Sequence, residues 1–356
     1  MRCESKVDHF YTKHLSVVTS RSVYVQEAWD MENTEPGKTN DNVLIRDLRK
    51  SDLNDILSLF PMCFAKEFEI SGFDPDHQAA MINRVFGRTG KLMLGLLRLC
   101  GKEPVKLLVA EADGKIVGTT MIENRGKSGY ISSVMVHPDY RRRGIATGLM
   151  TTALNYLRRR ENVKAILDVN STNAPARSVY VKLGFKAFEH FTYFVGETNS
   201  MHVQENASGA KIREFQKDDL DQVYNLIEAS EDPNSLRIFD FTKKDLKTPF
   251  LQRMLHFGTQ KKLVALLGSR IVGYVEAAYT TPKEVGRINS VHVNSEDRSL
   301  GIEKLLIEAA NKEIAEGGVR RIRVTVPTAK QGLIEAVKDL GLREVLVMDV
   351  MVAEFQ

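Results

Sequence analysis

"YISSVMVHPDYRRRGIATGLM", Tyr130 to Met150, runs from a strand-like apolar segment through a turn holding three arginines and a glycine into an apolar, helix-like segment. The first turn of a helix exposes backbone N–H groups with no intrahelical partner, and the positive end of the helix dipole points the same way. Gly144 and Ala146 carry little or no side chain there, so an oxyanion can approach those amides, and a pyrophosphate is the natural occupant. Arg141, Arg142 and Arg143 then add positive charge, or, as in most basic triplets, form a solvated surface cluster.

Outward from this turn the pattern alternates. "VLIRDL" reads as a strand, "SDLNDILSLF" as a helix capped by Ser51, and Asp74 to Cys100 as mostly helical. "KLLVAEAD" and "KIVGTTMI" form a hairpin across Asp113-Gly114. After the helix from Gly144 to Arg159 come the strand "AILDV", a helix from Ala174 to Leu183 ended by Gly184, and the strand "EHFTYFV". The expectation is an α/β fold with a mixed sheet and helices on its faces.

The plan occurs twice. "NVLIRDLRKSDLNDILSLF" (Asn42 to Phe60) is echoed by "AKIREFQKDDLDQVYNLI" (Ala210 to Ile227), and Gly114 to Met150 by Ser269 to Leu306, with the "IVG" strands and "RxxGI" turns in the same order. Two tandem copies are expected, at 42–199 and 210–356, joined by a polar linker at 200–209 and preceded by a disordered tail at 1–41, within which Met31 is an alternative start.

A chain of 356 residues accommodates two such cores, and a net charge of +4 falls short of the basic stripe of a dedicated nucleic-acid binder. Anionic small molecules are the expected partners. Cys3, Cys63 and Cys100 have no CxxC spacing, which suggests neither zinc nor disulfides and fits a cytoplasmic protein. The longest apolar run, Leu92 to Cys100, is half the roughly 18 residues of a membrane span and contains Arg98, and the N-terminal residues do not read as a secretory signal. No metal and no membrane are expected.

"RRRGIA" (Arg141 to Ala146) resembles the Q/R-x-x-G-x-G/A signature of the GCN5-related N-acetyltransferase (GNAT) superfamily, and "LDVNSTNAPARSVYVKLGF" (Leu167 to Phe185) is similar to its second signature, with Asn173, Ala176, Tyr180, Gly184 and Phe185 in register. The resemblance implies a tandem pair of acyl-CoA N-acyltransferase domains. It implies acetyl-CoA between two splayed parallel strands, here "YISSVMV" and "AILDV", with Val134, Met135 and Val136 offering backbone groups to the pantetheine arm and the thioester. Amides of Arg142 to Thr147, Ile145 and Ala146 included, would hold the pyrophosphate, and Asn173 the pantetheine arm. Tyr180 would protonate the leaving thiolate; on spacing alone it reads as a core aromatic.

The acceptor amine must arrive neutral, and an α-amine of pKa about 7.8 needs less help than a lysine of about 10.4. Asp168 is mid-strand on the face of Ile166 and Asn170; the resemblance implies that it serves as the base, acting through a water, and the alternative is that it organises the loop that follows. Glu123 and Glu111 are reserve bases, and His137 reads as a surface residue. The segment around Asp168 looks most like the ribosomal-protein alanine acetyltransferases, which makes a protein N-terminal α-amine the first acceptor expectation. A small amine is the alternative, since tandem relatives such as the mycothiol synthases resemble the chain in layout, and a non-catalytic acyl-CoA-sensing module is the rival from another class.

In the second copy, Glu303 stands in place of Ala146, Lys330 of Asn173 and Val337 of Tyr180. That copy is expected to be inactive, leaving it to shape the acceptor groove, form a homodimer or stabilise the first.

Overall fold

The computed structural model describes residues 37–38, 43–71, 105–198, 209–247, 259–279 and 285–355. The helices expected over Asp74 to Cys100 and the linker at 200–208 lie outside the described residues. Of the expected tail, Gly37–Lys38 (β1) are a strand, with Lys38 opposite Leu44, so ordered structure begins earlier than the sequence pattern indicates.

The first unit follows as β2 (Leu44–Asp47), α1 (Leu53–Ser71), β3 (Val105–Ala112), β4 (Lys115–Arg125), β5 (Ser128–Val136), α2 (Ile145–Arg159), β6 (Lys164–Asn170) and α3 (Ala174–Lys182). Ala112 faces Lys115 across the expected two-residue hairpin loop. Ser51 does not cap α1; its hydroxyl donates to Asp52 Oδ1.

Next come β7 (Lys186–Glu197), β8 (Lys211–Glu214), α4 (Leu220–Ser230), α5 (Pro233–Ile238), β9 (Thr259–Leu267), β10 (Arg270–Tyr279), β11 (Val285–Val293), α6 (Ile302–Glu316), β12 (Arg321–Pro327), α7 (Gln331–Asp339) and β13 (Arg343–Glu354).

The compact units are cut differently from the sequence repeat. Of the described residues, one unit holds those up to Phe188 and, from the other end, Asp349 onward; the other holds those within Glu189–Met348. Strand order in the first is β1-β2-β3-β4-β5-β6-β13, and in the second β7-β12-β11-β10-β9-β8. Each copy therefore lends its last strand to the other's unit: β7 pairs antiparallel with β12, from Phe191↔Pro327 to Glu197↔Arg321, while β13 lies beside β6.

Each sheet is covered on both faces. In the first unit Ile145, Leu149, Ala153 and Leu157 repeat at the spacing of one helix face and bury α2 against Ile131, Ala165 and Leu167. Met351 and Ala353 of β13 belong to this same core. The opposite face takes Leu53, Ile56, Leu59 and Phe60 of α1 against Leu107, Val109, Met121 and Met135. Gly118 lets α2 come close, because a Cβ there would lie 2.9 Å from the Met135 carbonyl oxygen and 3.2 Å from Ile145. In the second unit α6 and α4 take the equivalent places.

The repeated Ile-Arg and Asp-Leu positions form one device built twice. Arg46 grips Asp52 with two bonds of 2.7 and 3.0 Å, and Arg213 grips Asp219 at 2.6 and 2.8 Å. In both, the carboxylate also accepts a backbone N–H, from Arg49 and Gln216 respectively.

Candidate active site

β5 and β6 pair in parallel for four residues only, from Ser128↔Lys164 to Ile131↔Leu167, and both then continue, to Val136 and Asn170. The cause lies in β5. A register shift against β4 between Thr119 and Met121 marks a bulge, with Ser133 at φ 52°. A bulge sharpens local twist, and here it turns β5 away from its parallel neighbour. Val134, Met135 and Val136 thus follow the bulge along an edge with no pairing to β6, although Met135 itself is buried and the Val136 carbonyl accepts from Arg141 Nε at 3.2 Å.

At the end of β5, His137 caps a short 3-10 turn by accepting from the Asp139 N–H, a surface role. Gly144 then precedes α2 with φ 79°, a left-handed geometry that glycine adopts without Cβ strain. No side chain caps this helix start, so the amides of Ile145, Ala146 and Thr147 keep their donors free for an anion, although the Ile145 side chain is buried. The three exposed arginines divide their work. Arg141 also approaches Cys63 Sγ at 3.9 Å, and Arg143 lies 5.0 Å over the Tyr140 ring, so these two brace the loop. Arg142, at φ 63°, leaves its guanidinium to solvent.

Asp168 is the first residue of β6 past the paired segment. Tyr130 Oη donates to its Oδ2, while its Oδ1 is shut off from solvent and has no partner. Arg125 stacks 4.0 Å over the Tyr130 ring and pairs with Glu123 at 2.8 Å. Burial pushes the Asp168 carboxyl up to about 8, against the Tyr130 hydrogen bond and the Arg125 charge, which both pull it down. Of the reserve bases, Glu123 is tied to Arg125 and Glu111 to Arg46 at 2.6 Å.

Tyr180, on α3, is 6% exposed within the core that contains Ile145, Leu149 and Val169, and burial lifts its hydroxyl above the ordinary phenol range. Asn173 is the N-cap of α3, its Oδ1 accepting from the Ala176 N–H at 3.2 Å. That occupies one function of the amide and leaves the –NH2 group to donate elsewhere.

Two contacts escape local sequence reading. Arg177, between Asn173 and Tyr180, pairs with buried Asp349 of β13 at 2.8 Å, tying the signature helix to the end of the chain. Cys63 Sγ lies 3.6 Å from the Val136 carbonyl oxygen. Among the described residues, no group of three or more His, Cys, Asp or Glu is placed to hold a metal, and no helix is long and apolar enough to cross a membrane.

The second unit has the same frame. β11 and β12 pair from Val285↔Arg321 to Ile288↔Val324, a register shift falls between Tyr274 and Glu276, and Ser290 stands at φ 51°. Gly301 precedes α6 at φ 70°. The substituted residues take these places: Lys330 stands at the N-cap position of α7 with no side-chain cap hydrogen bond, Val337 is fully buried, and the Glu303 carboxylate accepts its own backbone N–H at the start of α6.

A family model for the acetyltransferase (GNAT) family matches residues 56–185, which contain the gap, the turn and both signatures. The chain is also 35% identical over 95 residues to an acetyltransferase of Pectobacterium atrosepticum, covering 27% of this chain and 67% of that protein. It belongs to the acetyltransferase (GNAT) family. An N-alpha-acetyltransferase of Sulfurisphaera tokodaii is 30% identical over 102 residues, covering 25% of this chain and 61% of that protein, so the match spans less than two thirds of that relative. In fold, this GNAT chain is similar to a GCN5-related N-acetyltransferase from Sphaerobacter thermophilus (TM-score 0.61, 18% identity, 89% of this chain and 97% of that one). It is also similar to a tandem GNAT protein from the clavulanic acid biosynthesis pathway (TM-score 0.59, 15% identity, 88% and 98%).

Proposed function

We propose that the first unit transfers the acetyl group of acetyl-CoA to an amine by direct attack, and that the acceptor is a protein N-terminal α-amine. The observation that carries this reading is Asp168: a buried carboxyl at the point where β5 and β6 part, with one oxygen bonded to Tyr130 and the other unpartnered.

The pyrophosphate of acetyl-CoA lies on the amides of Ile145, Ala146 and Thr147 with Arg142 adding charge, and the pantetheine arm runs along Val134 to Val136 and takes the free Asn173 amide donor. The amine attacks the thioester carbon and its proton goes to Asp168. Because α-ammonium and this carboxyl both titrate near 8, the transfer is close to thermoneutral, which is where general-base catalysis works best. A lysine ammonium, about two and a half units higher, would not be matched. A backbone N–H of β5 receives the oxyanion. The C–S bond then breaks, and Tyr180 stabilises the departing sulfur as a hydrogen-bond donor; its raised pKa makes full proton transfer to a thiolate of pKa about 8.5 unfavourable. The N-alpha-acetyltransferase name of the Sulfurisphaera relative supports the α-amine acceptor.

The test is thiol release from acetyl-CoA with N-terminal peptides, lysine peptides and polyamines as acceptors. Release with N-terminal peptides, falling about 100-fold in Tyr180→Phe, is expected. Release with polyamines alone would transfer the reading to small amines. Saturable acetyl-CoA binding with no release from any acceptor would overturn the activity in favour of a sensor.

A further inference from the structure

The loop from Asn170 to Asn173 joins β6 to the signature helix and so sets where Asn173 stands. It is braced from two sides. Asn170 Oδ1 accepts from the Thr172 N–H at 3.0 Å and from the Thr172 hydroxyl at 2.9 Å, a local turn. Arg177, one turn into α3, donates from Nη1 to the Ser171 carbonyl at 3.3 Å, while its Nε lies 2.8 Å from Asp349 Oδ2. Asp349 is 1% exposed and the Arg177 side chain 41%, so the carboxylate is the fixed end of this bridge.

That fixed end comes from far along the chain. β13 lies beside β6: the Phe355 N–H donates to the Val163 carbonyl at 2.8 Å just ahead of β6, and Asp349 meets Arg177 where β6 has given way to the loop and α3. Met351 and Ala353 of β13 share a core with Val169, Tyr180 and Phe185. The strand that holds the signature loop of the first copy is thus the last strand of the second copy.

The second unit carries the same brace without the charges. Counted along the repeat, Thr192 of β7 stands for Asp349, Thr328 for Ser171 and Ile334 for Arg177. The Thr192 and Thr328 hydroxyls lie 3.3 Å apart, and Ile334 is buried in the core. A hydroxyl pair is enough to close such a loop, whereas a buried carboxylate is tolerated only with a partner held in good geometry. The charged form occurs in the unit that has Asn173 and Tyr180, and the uncharged form where Lys330 and Val337 replace them.

We propose that Asp349 is a positioning residue for the acyl-CoA site: through Arg177 it holds the loop so that the free amide donor of Asn173 meets the pantetheine arm. The inference rests on the acetyl-CoA reading above. It gives the second copy a role that requires no ligand of its own, because the first copy's site is incomplete without β13.

Isothermal titration of the full chain with acetyl-CoA and with adenosine 3′-phosphate 5′-diphosphate tests it. The second ligand keeps the pyrophosphate of CoA and lacks the pantetheine arm, so it reads the Gly144 turn alone. Arg177→Ile combined with Asp349→Thr installs the second unit's residues and leaves no charge buried alone. Arg177→Lys keeps the pairing charge but cannot span Asp349 and Ser171 together, and it guards against a folding defect in the double variant. In both, acetyl-CoA binding is expected to weaken about tenfold, the loss of one hydrogen bond to the pantetheine arm, while the fragment binds as it does to the parent. Arg177→Lys should also keep the parent's melting curve. Acetyl-CoA affinity within about threefold of the parent in Arg177→Lys overturns the proposal. Equal weakening for both ligands does so too, since a brace for Asn173 has no reason to act on the turn. A parent chain that binds neither ligand refutes the acetyl-CoA reading itself and the proposal with it.

Discussion

The gap between β5 and β6 and the gap between β11 and β12 are made by the same backbone moves: four parallel pairs, a bulge opposite the edge, a serine at positive φ and a left-handed glycine ahead of a helix. Their linings differ at each position that bears on chemistry. Asp168 becomes Thr325, Tyr130 becomes Arg287, Ala146 becomes Glu303, and Tyr180 becomes Val337. The comparison separates what the fold supplies, an opening with unpaired backbone, from what side chains must add. On the function proposed above, proton transfer and anion binding belong to the first unit alone.

The sharpest way to break that division is at Asp168. Asp168→Asn keeps the shape and removes the base, and kcat/KM should fall by about 10² to 10⁴ with little change in acetyl-CoA affinity. A fall under tenfold would return Asp168 to a loop-organising role. The same variant has a stability signature of definite sign. The folded carboxyl titrates near 8 and the unfolded one near 3.8, so the folded state binds the extra proton between those values and loses stability as pH rises through them. Asp168→Asn should therefore melt close to the parent only below about pH 4 and progressively above it from there to about pH 8.

A smaller effect tests the anion site. Ala146→Glu transplants the second unit's residue, whose carboxylate binds its own helix-start amide, into the first unit. Losing one or two charge-assisted hydrogen bonds, about 1.5–3 kcal/mol, should raise KM for acetyl-CoA about 10- to 100-fold and leave kcat within a few-fold. The converse, Glu303→Ala, should give the second unit no turnover, because Val337 offers no donor to a leaving sulfur.

The frame was legible in the sequence because its signals are local: strand, turn and helix within the twenty-one residues from Tyr130, the paired signatures, and their repetition. What escaped is non-local. Nothing around Arg177 announces Asp349 as its partner, or that β13 closes the first unit's core with Met351 and Ala353. Strand exchange between copies leaves each copy's own pattern unchanged, so repeat boundaries and compact units part company. The second unit's lining was hidden for another reason. Read against the first signature, Lys330 and Val337 count only as losses, and the convergence of Glu189, Glu231 and Lys330 appears only once β7 and α4 are brought together by folding.

The finest distinction concerns how the first unit tunes its base. Tyr130 and Arg125 both pull the Asp168 carboxyl down against burial, the hydrogen bond more than the charge. Both act on Asp168, so removing either should move the pH dependence of kcat/KM without moving acetyl-CoA affinity. Tyr130→Phe should shift the alkaline rise upward, and Arg125→Met should shift it in the same direction by less. At pH 7 both variants would then be slower, because a smaller fraction of Asp168 is ionised, and both should recover toward the parent rate as pH climbs past the displaced inflection. A purely structural role for Tyr130 predicts a different outcome, a lower rate at every pH with the inflection in place, because a distorted gap is not repaired by deprotonating Asp168. A downward shift would exclude Asp168 as the titrating group, since no loss of a hydrogen-bond donor to a carboxylate makes it more acidic.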